Sequence, residues 1–265
     1  MRPDDTDNID EQRRRLMRDL PVVIGHRGAA LHAPENTLAS MLKSLELGAN
    51  WVEIDVKLAR DGEPFLLHDA DLDRTTDGSG PAAVLAMNEL ATLDAGSWFG
   101  AGFQGERLPT LVELVELIDR HDMGLNLEIK PSPGTDVETT EVIIETLRRC
   151  WPATRPWPLL SSFRRGALAR AREIAPEIPR GLLLKKLEPD WRETMADLGC
   201  ASLHLKHVEA TPDLLAGTRA AGLPVLLYTV NDGATGAALL RKGARSIISD
   251  APERILAALD ASREP

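Results

Sequence analysis

The sequence predicts an α/β fold of the (β/α)8 TIM-barrel class, with a small cap inserted after a hairpin at the second strand. Three observations predict it. Short β-rich runs ending in polar residues alternate with helical patterns, and the runs number eight: 22–25, 52–57, 125–130, 159–163, 181–184, 202–206, 225–230 and 246–250. Gly124, Gly199, Gly222 and Gly243 follow apparent helix ends, each just before a strand, as helix-terminating glycines do. The length of 265 residues suits one undivided barrel. A doubly wound open sheet is the runner-up, because the same alternation does not reveal ring closure.

Residues 1–19, MRPDDTDNIDEQRRRLMRD, carry charges where a secretory signal needs an apolar centre. They read as a flexible tail, or as a short amphipathic helix over the end of a domain spanning 20–265. After the first strand comes a helix over 34–47, with Pro34 near its start and Gly48 past its end. The second strand alternates: Val52, Ile54 and Val56 face one way, Glu53, Asp55 and Lys57 the other. Asp61-Gly62 then supplies a turn, and 64–67 is the return strand. Pairing Arg60 with Glu63 across a two-residue turn places Asp55 opposite His68, with Glu53 on the same face.

Residues 70–109 break the rhythm with a Gly- and Asp-rich segment. So long a segment is normally functional or separately folded. It reads as an insertion capping the barrel mouth, with a short helix over 87–93 and Trp98, Phe99 and Phe103 as anchors. Helices over 110–122, 137–149, 165–174, 190–198, 212–221, 233–242 and 252–260 alternate with the remaining strands. The basic run RRGALARAR at 164–172 reads as a solvated helix face.

Composition excludes several classes. A net charge of −10, with no basic stripe, argues against nucleic acid but not against a small phosphate-bearing ligand. Cys150 and Cys200 are too few for a disulfide framework and read as buried thiols. No apolar run approaches the ~18 residues of a membrane span, so a cytoplasmic protein without membrane insertion is expected.

In such a barrel, functional residues gather at the carboxyl ends of strands. Those ends carry His26, Arg27, Glu53, Asp55, Glu128, Lys130, Asn231 and Asp250, and the hairpin delivers His68. Glu53, Asp55 and Glu128 form an all-oxygen set suited to Mg2+, Ca2+ or Mn2+. Arg27 and Lys130 are placed to hold a phosphate. His26 and His68 are candidates for general acid and base. Together they point to phosphodiester cleavage. The bland alternative makes the carboxylates solvated residues of a half-exposed strand. His204, His207, Asn231 and Asp250 read as structural support.

The strings HRG at 26–28, APENT at 33–37, VEIDVKLARDGEPFLLHD at 52–69, RTTDG at 74–78, LDAGSWF at 93–99, NLEIK at 126–130, LLSSF at 159–163, YTVN at 228–231 and SD at 249–250 carry a resemblance. In that order they resemble the glycerophosphodiester phosphodiesterase family, over Val22 to about Ala258, and look most like its cytosolic bacterial branch. The resemblance implies hydrolysis of small glycerophosphodiesters to sn-glycerol 3-phosphate and an alcohol. It implies Glu53, Asp55 and Glu128 as ligands of a divalent cation, His26 and His68 as the acid/base pair, and Arg27 and Lys130 as phosphate contacts. Tyr228 stands where many members carry Trp and would form part of the pocket wall. By family analogy a glycerol hydroxyl attacks first and gives a cyclic phosphate; direct attack by water is the other route. Two further readings are a lysophospholipase D, needing an apolar groove near Trp98, Phe99 and Phe103, and a non-catalytic phosphodiester-binding barrel. The preferred alcohol, the cation and the oligomeric state are not encoded in any pattern.

Overall fold

Alternation along β2 (Trp51–Leu58) sets the two sides of the wall. Val52, Ile54 and Val56 are fully buried on the outside of the wall, packed with Leu111, Leu114 and Ile118 of the helix α4 (Leu111–Arg120). Glu53, Asp55 and Lys57 take the inner face. The six residues from Val52 to Lys57 are thus claimed by either the packed shell or the barrel interior.

The computed structural model describes residues 3–261. The outermost ends of the expected tail and domain, 1–2 and 262–265, lie outside the described residues. In chain order the remaining strands are β1 (Val23–His26), β3 (Pro64–Leu66), β4 (Gly124–Ile129), β5 (Leu159–Ser162), β6 (Arg180–Leu184), β7 (Ser202–Lys206), β8 (Val225–Tyr228) and β9 (Ser246–Ser249). The hydrogen-bonded order runs β1-β9-β8-β7-β6-β5-β4-β2, and β1 pairs with β2. The ring of eight parallel strands is closed, which removes the open-sheet alternative. Between the strands lie α2 (Leu38–Glu46), α4, α5 (Asp136–Cys150), α6 (Arg165–Ile174), α7 (Trp191–Asp197), α8 (Pro212–Ala220) and α9 (Gly233–Lys242), with α10 (Pro252–Ala261) last. Helix α2 starts later than expected because Thr37 is its N-cap, accepting the Ser40 N–H at 3.2 Å, and 34–36 form the turn before it.

Residues 3–19 are helical rather than a flexible tail: α1 (Pro3–Asp19) is the amphipathic alternative. Leu16 and Leu20 are buried against Ile24, Leu159, Leu226 and Ile248, so the chain closes the N-terminal end of the barrel. Polar bonds fix the seat. Gln12 donates to the Pro176 carbonyl at 2.8 Å, Arg15 to that of Trp157 at 2.8 Å, and Arg245 to that of Met17 at 2.9 Å.

The β2–β3 hairpin differs from expectation by one residue. Val56 pairs with Leu66 and Leu58 with Pro64, so Asp55 faces Leu67, whose N–H it accepts at 3.1 Å. The cause is a three-residue loop, Arg60-Asp61-Gly62, in which Gly62 takes φ +83° and bonds back to Ala59. His68 follows the last ladder residue and turns toward the cavity from outside the strand.

The insertion is a satellite cluster beside the barrel. Leu72, Ala82, Leu90 and Ala95 pack with Phe65 and Leu67 of the hairpin. Its short helix, α3 (Met87–Leu90), stops three residues before the expected end. Trp98, Phe99 and Phe103 stack edge to face on one another.

Candidate active site

Three carboxylates from two adjacent strands meet inside the barrel. Asp55 and Glu128 are register partners on β2 and β4, and Glu53 lies one inward step earlier on β2. One oxygen from each lies within 4.8 Å of the others. Their relative exposures of 5%, 1% and 7% (Glu53, Asp55, Glu128) rule out a half-exposed strand. Burial raises the Glu53 carboxyl well above its ordinary range, and the charges of Asp55 and Glu128 add to that. Glu128 is raised to about 7, first by burial and then by Asp55. Asp55 goes the other way: burial opposes its charge, but Lys130, Arg27, His68 and Asn36 outweigh it. With all three carboxylates ionised, the cluster holds more negative charge than Lys130 and Arg27 neutralise. That surplus, carried on oxygen ligands alone, fits a hard divalent cation.

Local backbone geometry delivers the cations. Lys130 Nζ is 2.9 Å from Asp55 Oδ1 and 3.6 Å from Glu128 Oε1. Arg27 sits in the left-handed region at φ +51°, followed by Gly28 at +88°. A side chain at Gly28 would strike Ser40, so only glycine lets this turn pack on α2. The turn sends Arg27 Nη1 to Glu35 Oε1 at 2.7 Å and brings Nε to 3.3 Å from Asp55 Oδ2. Asn36, also left-handed at φ +56°, donates to Asp55 Oδ2 at 2.9 Å while accepting the Asp55 N–H at 3.2 Å. This reciprocal pair fixes the carboxylate's orientation.

Each histidine is held from behind by an aspartate. His26 Nδ1 lies 2.6 Å from Asp250 Oδ1, and Asn231 donates to the other oxygen at 2.8 Å. His68 Nδ1 lies 2.6 Å from Asp69 Oδ1, and Arg74 Nε donates to Oδ2 at 2.6 Å. Nε2 is therefore the nitrogen each ring has free, and His26 Nε2 is 3.8 Å from Glu53 Oε2. Burial lowers the His68 pKa, opposed by Asp55 and by the bond to Asp69.

His26, Arg27, Glu53, His68, Glu128, Lys130 and Tyr228 all border one cavity of about 910 Å³, and Asp55 lies buried beneath through its bonds to Lys130 and Asn36. Tyr228 is a wall residue whose hydroxyl donates to the Leu184 carbonyl at 2.8 Å. Asn231 and Asp250 support His26, whereas His204 is fully buried beside Ser202 at 3.0 Å and His207 faces the Tyr228 carbonyl at 3.4 Å. Sequence reasoning assigned no role to Asn36, Glu35, Asp69 or Arg74. The His68-Asp69 dipeptide at a strand end was the available signal for one of them; Arg74 becomes visible only in three dimensions, where it also binds Glu35 at 2.7 and 2.8 Å. No residue of 70–109 borders the cavity, so the expected cap reaches the site only through Arg74. The reason is its apolar seat on β3, which draws it to the flank.

Known proteins resemble this chain along most of its length. The model of the glycerophosphoryl diester phosphodiesterase family matches residues 26–254. A glycerophosphodiester phosphodiesterase of Caldanaerobacter subterraneus subsp. tengcongensis is 34% identical over 241 residues, covering 89% of this chain and 96% of that protein. A putative glycerophosphodiester phosphodiesterase of Bacillus subtilis, YhdW, is 32% identical, covering 88% and 96%. Among solved structures, an Oleispira antarctica phosphodiesterase in complex with the product sn-glycerol-3-phosphate superposes with a TM-score of 0.88 at 43% identity, covering 91% of this chain and 97% of that one. Sequence, fold and match extent agree, and the chain belongs to the glycerophosphoryl diester phosphodiesterase family.

Proposed function

We propose that this glycerophosphodiester phosphodiesterase cleaves small, deacylated diesters to sn-glycerol 3-phosphate and an alcohol, using Glu53, Asp55 and Glu128 to hold a divalent cation and His26 and His68 to move protons. The observation that carries the reading is the convergence of three buried carboxylates with two imidazoles, each imidazole braced by its own aspartate. A bound Mg2+, Ca2+ or Mn2+ supplies charge neutralisation at the phosphoryl oxygens. Arg27 and Lys130, at the edge of the same cluster, take the remaining phosphoryl charge. One imidazole removes the proton of the attacking hydroxyl, that of water or of glycerol itself, as its oxygen bonds to phosphorus. The other gives a proton to the alcohol oxygen as its bond to phosphorus breaks. On the glycerol route a water then opens the resulting cyclic phosphate, adding across its P–O bond to give sn-glycerol 3-phosphate. Tyr228 limits the cavity on the side of β8.

A lipid substrate has less support. Trp98, Phe99 and Phe103, the aromatic residues a lipid groove would need, do not border the cavity. Among the described residues no helix is long and apolar enough to cross a membrane. The test is release of sn-glycerol 3-phosphate from a panel of glycerophosphodiesters by metal-stripped protein resupplied with Mg2+, Ca2+ or Mn2+. Activity that needs a cation and is lost in folded His68→Ala and Glu53→Ala variants is the expected result. Binding without turnover at every cation, or cleavage of lysophospholipids alone, overturns it.

A further inference from the structure

The cavity wall opposite the histidines is basic, in a chain whose net charge is −10. It is built by the segments that follow β5 and β6, which bring Arg164, Arg165, Lys185 and Lys186 to the cavity edge. The two arginines are already neutralised. Arg164 Nε lies 3.1 Å from Asp136 Oδ1, and Arg165 pairs with Glu188 and, at 3.8 Å, with Asp190. The two lysines are exposed, and among the described residues neither pairs with a carboxylate. Two adjacent uncompensated ammonium groups thus border the same cavity as the carboxylate cluster.

The aromatic residues of that wall do not offer a seat for a cation. A quaternary ammonium needs an open ring face. Lys185 Nζ already stands 5.6 Å from the centre of the Phe163 ring, and Tyr228 meets that ring edge to face at 6.1 Å. A cationic alcohol such as choline would meet like charge here. The glycerol half is constant among glycerophosphodiesters, and the reacting phosphate is claimed by Arg27, Lys130 and the carboxylate cluster, so a further anion for the lysines has to come from the alcohol half.

We propose that Lys185 and Lys186 are specificity determinants that favour glycerophosphodiesters whose alcohol carries a further anionic group, such as a second phosphate. The proposal rests on the phosphodiesterase reading above and names the substrate class for that site. Among the described residues neither lysine pairs with the carboxylate cluster; their part is to hold the distal charge, and they add affinity only when that charge is present.

The experiment uses a matched pair, glycerophosphoinositol and glycerophosphoinositol 4-phosphate, which differ by one phosphate, with glycerophosphocholine as the cationic arm. The expected kcat/KM order is phosphorylated, then neutral, then cationic. Two exposed charge contacts correspond to a preference of about tenfold for the phosphorylated member at low salt, shrinking as ionic strength rises. In Lys185→Ala/Lys186→Ala the ratio falls toward one, and in Lys185→Glu/Lys186→Glu it inverts. Equal rates across the panel, or a ratio that the double variants leave unchanged, overturns the proposal while the phosphodiesterase reading stands. Loss of no diester at any cation overturns both.

Discussion

Asp69 Oδ1 lies 2.6 Å from Nδ1 of His68, its neighbour in the chain, and Arg74 holds the other oxygen at 2.6 Å. Asp250 holds His26 the same way from just past β9, with Asn231 in the place of Arg74. Two unrelated segments thus give each imidazole the same support: tautomer and ring direction are fixed, and Nε2 is left for substrate. Asp69→Asn is expected to lower kcat about 10–100-fold while leaving the affinity for Mn2+ unchanged. Steady-state kinetics beside a calorimetric Mn2+ titration separates this from a general loss of structure, which would move both.

Glu53 should show opposite effects on activity and stability. Its burial and the nearby charges of Asp55 and Glu128 push its pKa upward, so the ionised form is disfavoured in the cation-free protein. Replacing it by Gln relieves the cost of either protonating that carboxylate or burying its charge, at almost constant shape. Metal-stripped Glu53→Gln is therefore expected to be more stable than metal-stripped wild type by about 1 kcal/mol, and inactive when Mn2+ is returned. Wild type should instead gain about 2.7 kcal/mol in cation at a hundred times its Kd, a gain the variant lacks. Urea unfolding with and without Mn2+ measures both.

The barrel and the convergence of its three inward carboxylates were legible in sequence for a simple reason. Alternation on β2 and the repeat of an acidic residue on β4 are one-dimensional signals of which side faces inward. What stayed hidden depends on geometry a string does not carry. The hairpin slipped by one residue because Gly62 adopted a left-handed φ in a three-residue loop, and Asp-Gly fits both turn lengths. Asn36 was unreadable because its role comes from its own positive φ, which aims it at Asp55 nineteen residues away. RRGALARAR looked like a solvated face, yet its first two arginines border the cavity, because the helix begins at the carboxyl end of a strand.

His204 makes a distinct prediction about acid. It is fully buried in the barrel interior, with Ser202 as its one side-chain partner and Nδ1 unbonded among the described residues, and burial holds its pKa down to about 3. The unfolded chain protonates this histidine near pH 6.5, so below that pH the unfolded state binds the extra proton. Stability from this group is intact above about pH 6.5 and is lost progressively down to about pH 3. Between pH 7 and pH 5, wild type should lose about 2 kcal/mol more than His204→Asn does. Urea midpoints at the two pH values, with unchanged slope, give the difference. Equal losses would show that water or relaxation solvates the ring.

Helix α1 offers the last test, because the seat of 3–19 separates stability from catalysis. Leu16 is 1% exposed and Leu20 2%, both packed on Ile24, Leu159 and Leu226 at the end of the barrel away from the carboxylates. Truncating Leu16 to Ala removes buried methyl groups and leaves a cavity bounded by strands that the barrel holds rigid, so little collapse can offset it. The expected cost is about 2–4 kcal/mol in urea unfolding. The strands that carry Glu53, Asp55 and Glu128 keep their register through the ladder itself, so kcat and KM should stay within about twofold wherever the variant is folded. A Leu16→Ala variant as stable as wild type would mean that α1 spends much of its time undocked. A variant that is stable but slow would instead mean that closing the barrel's lower end positions the carboxylates, a coupling that the Arg245 bonds to the Met17 and Leu20 carbonyls could carry through β9 to Asp250 and His26.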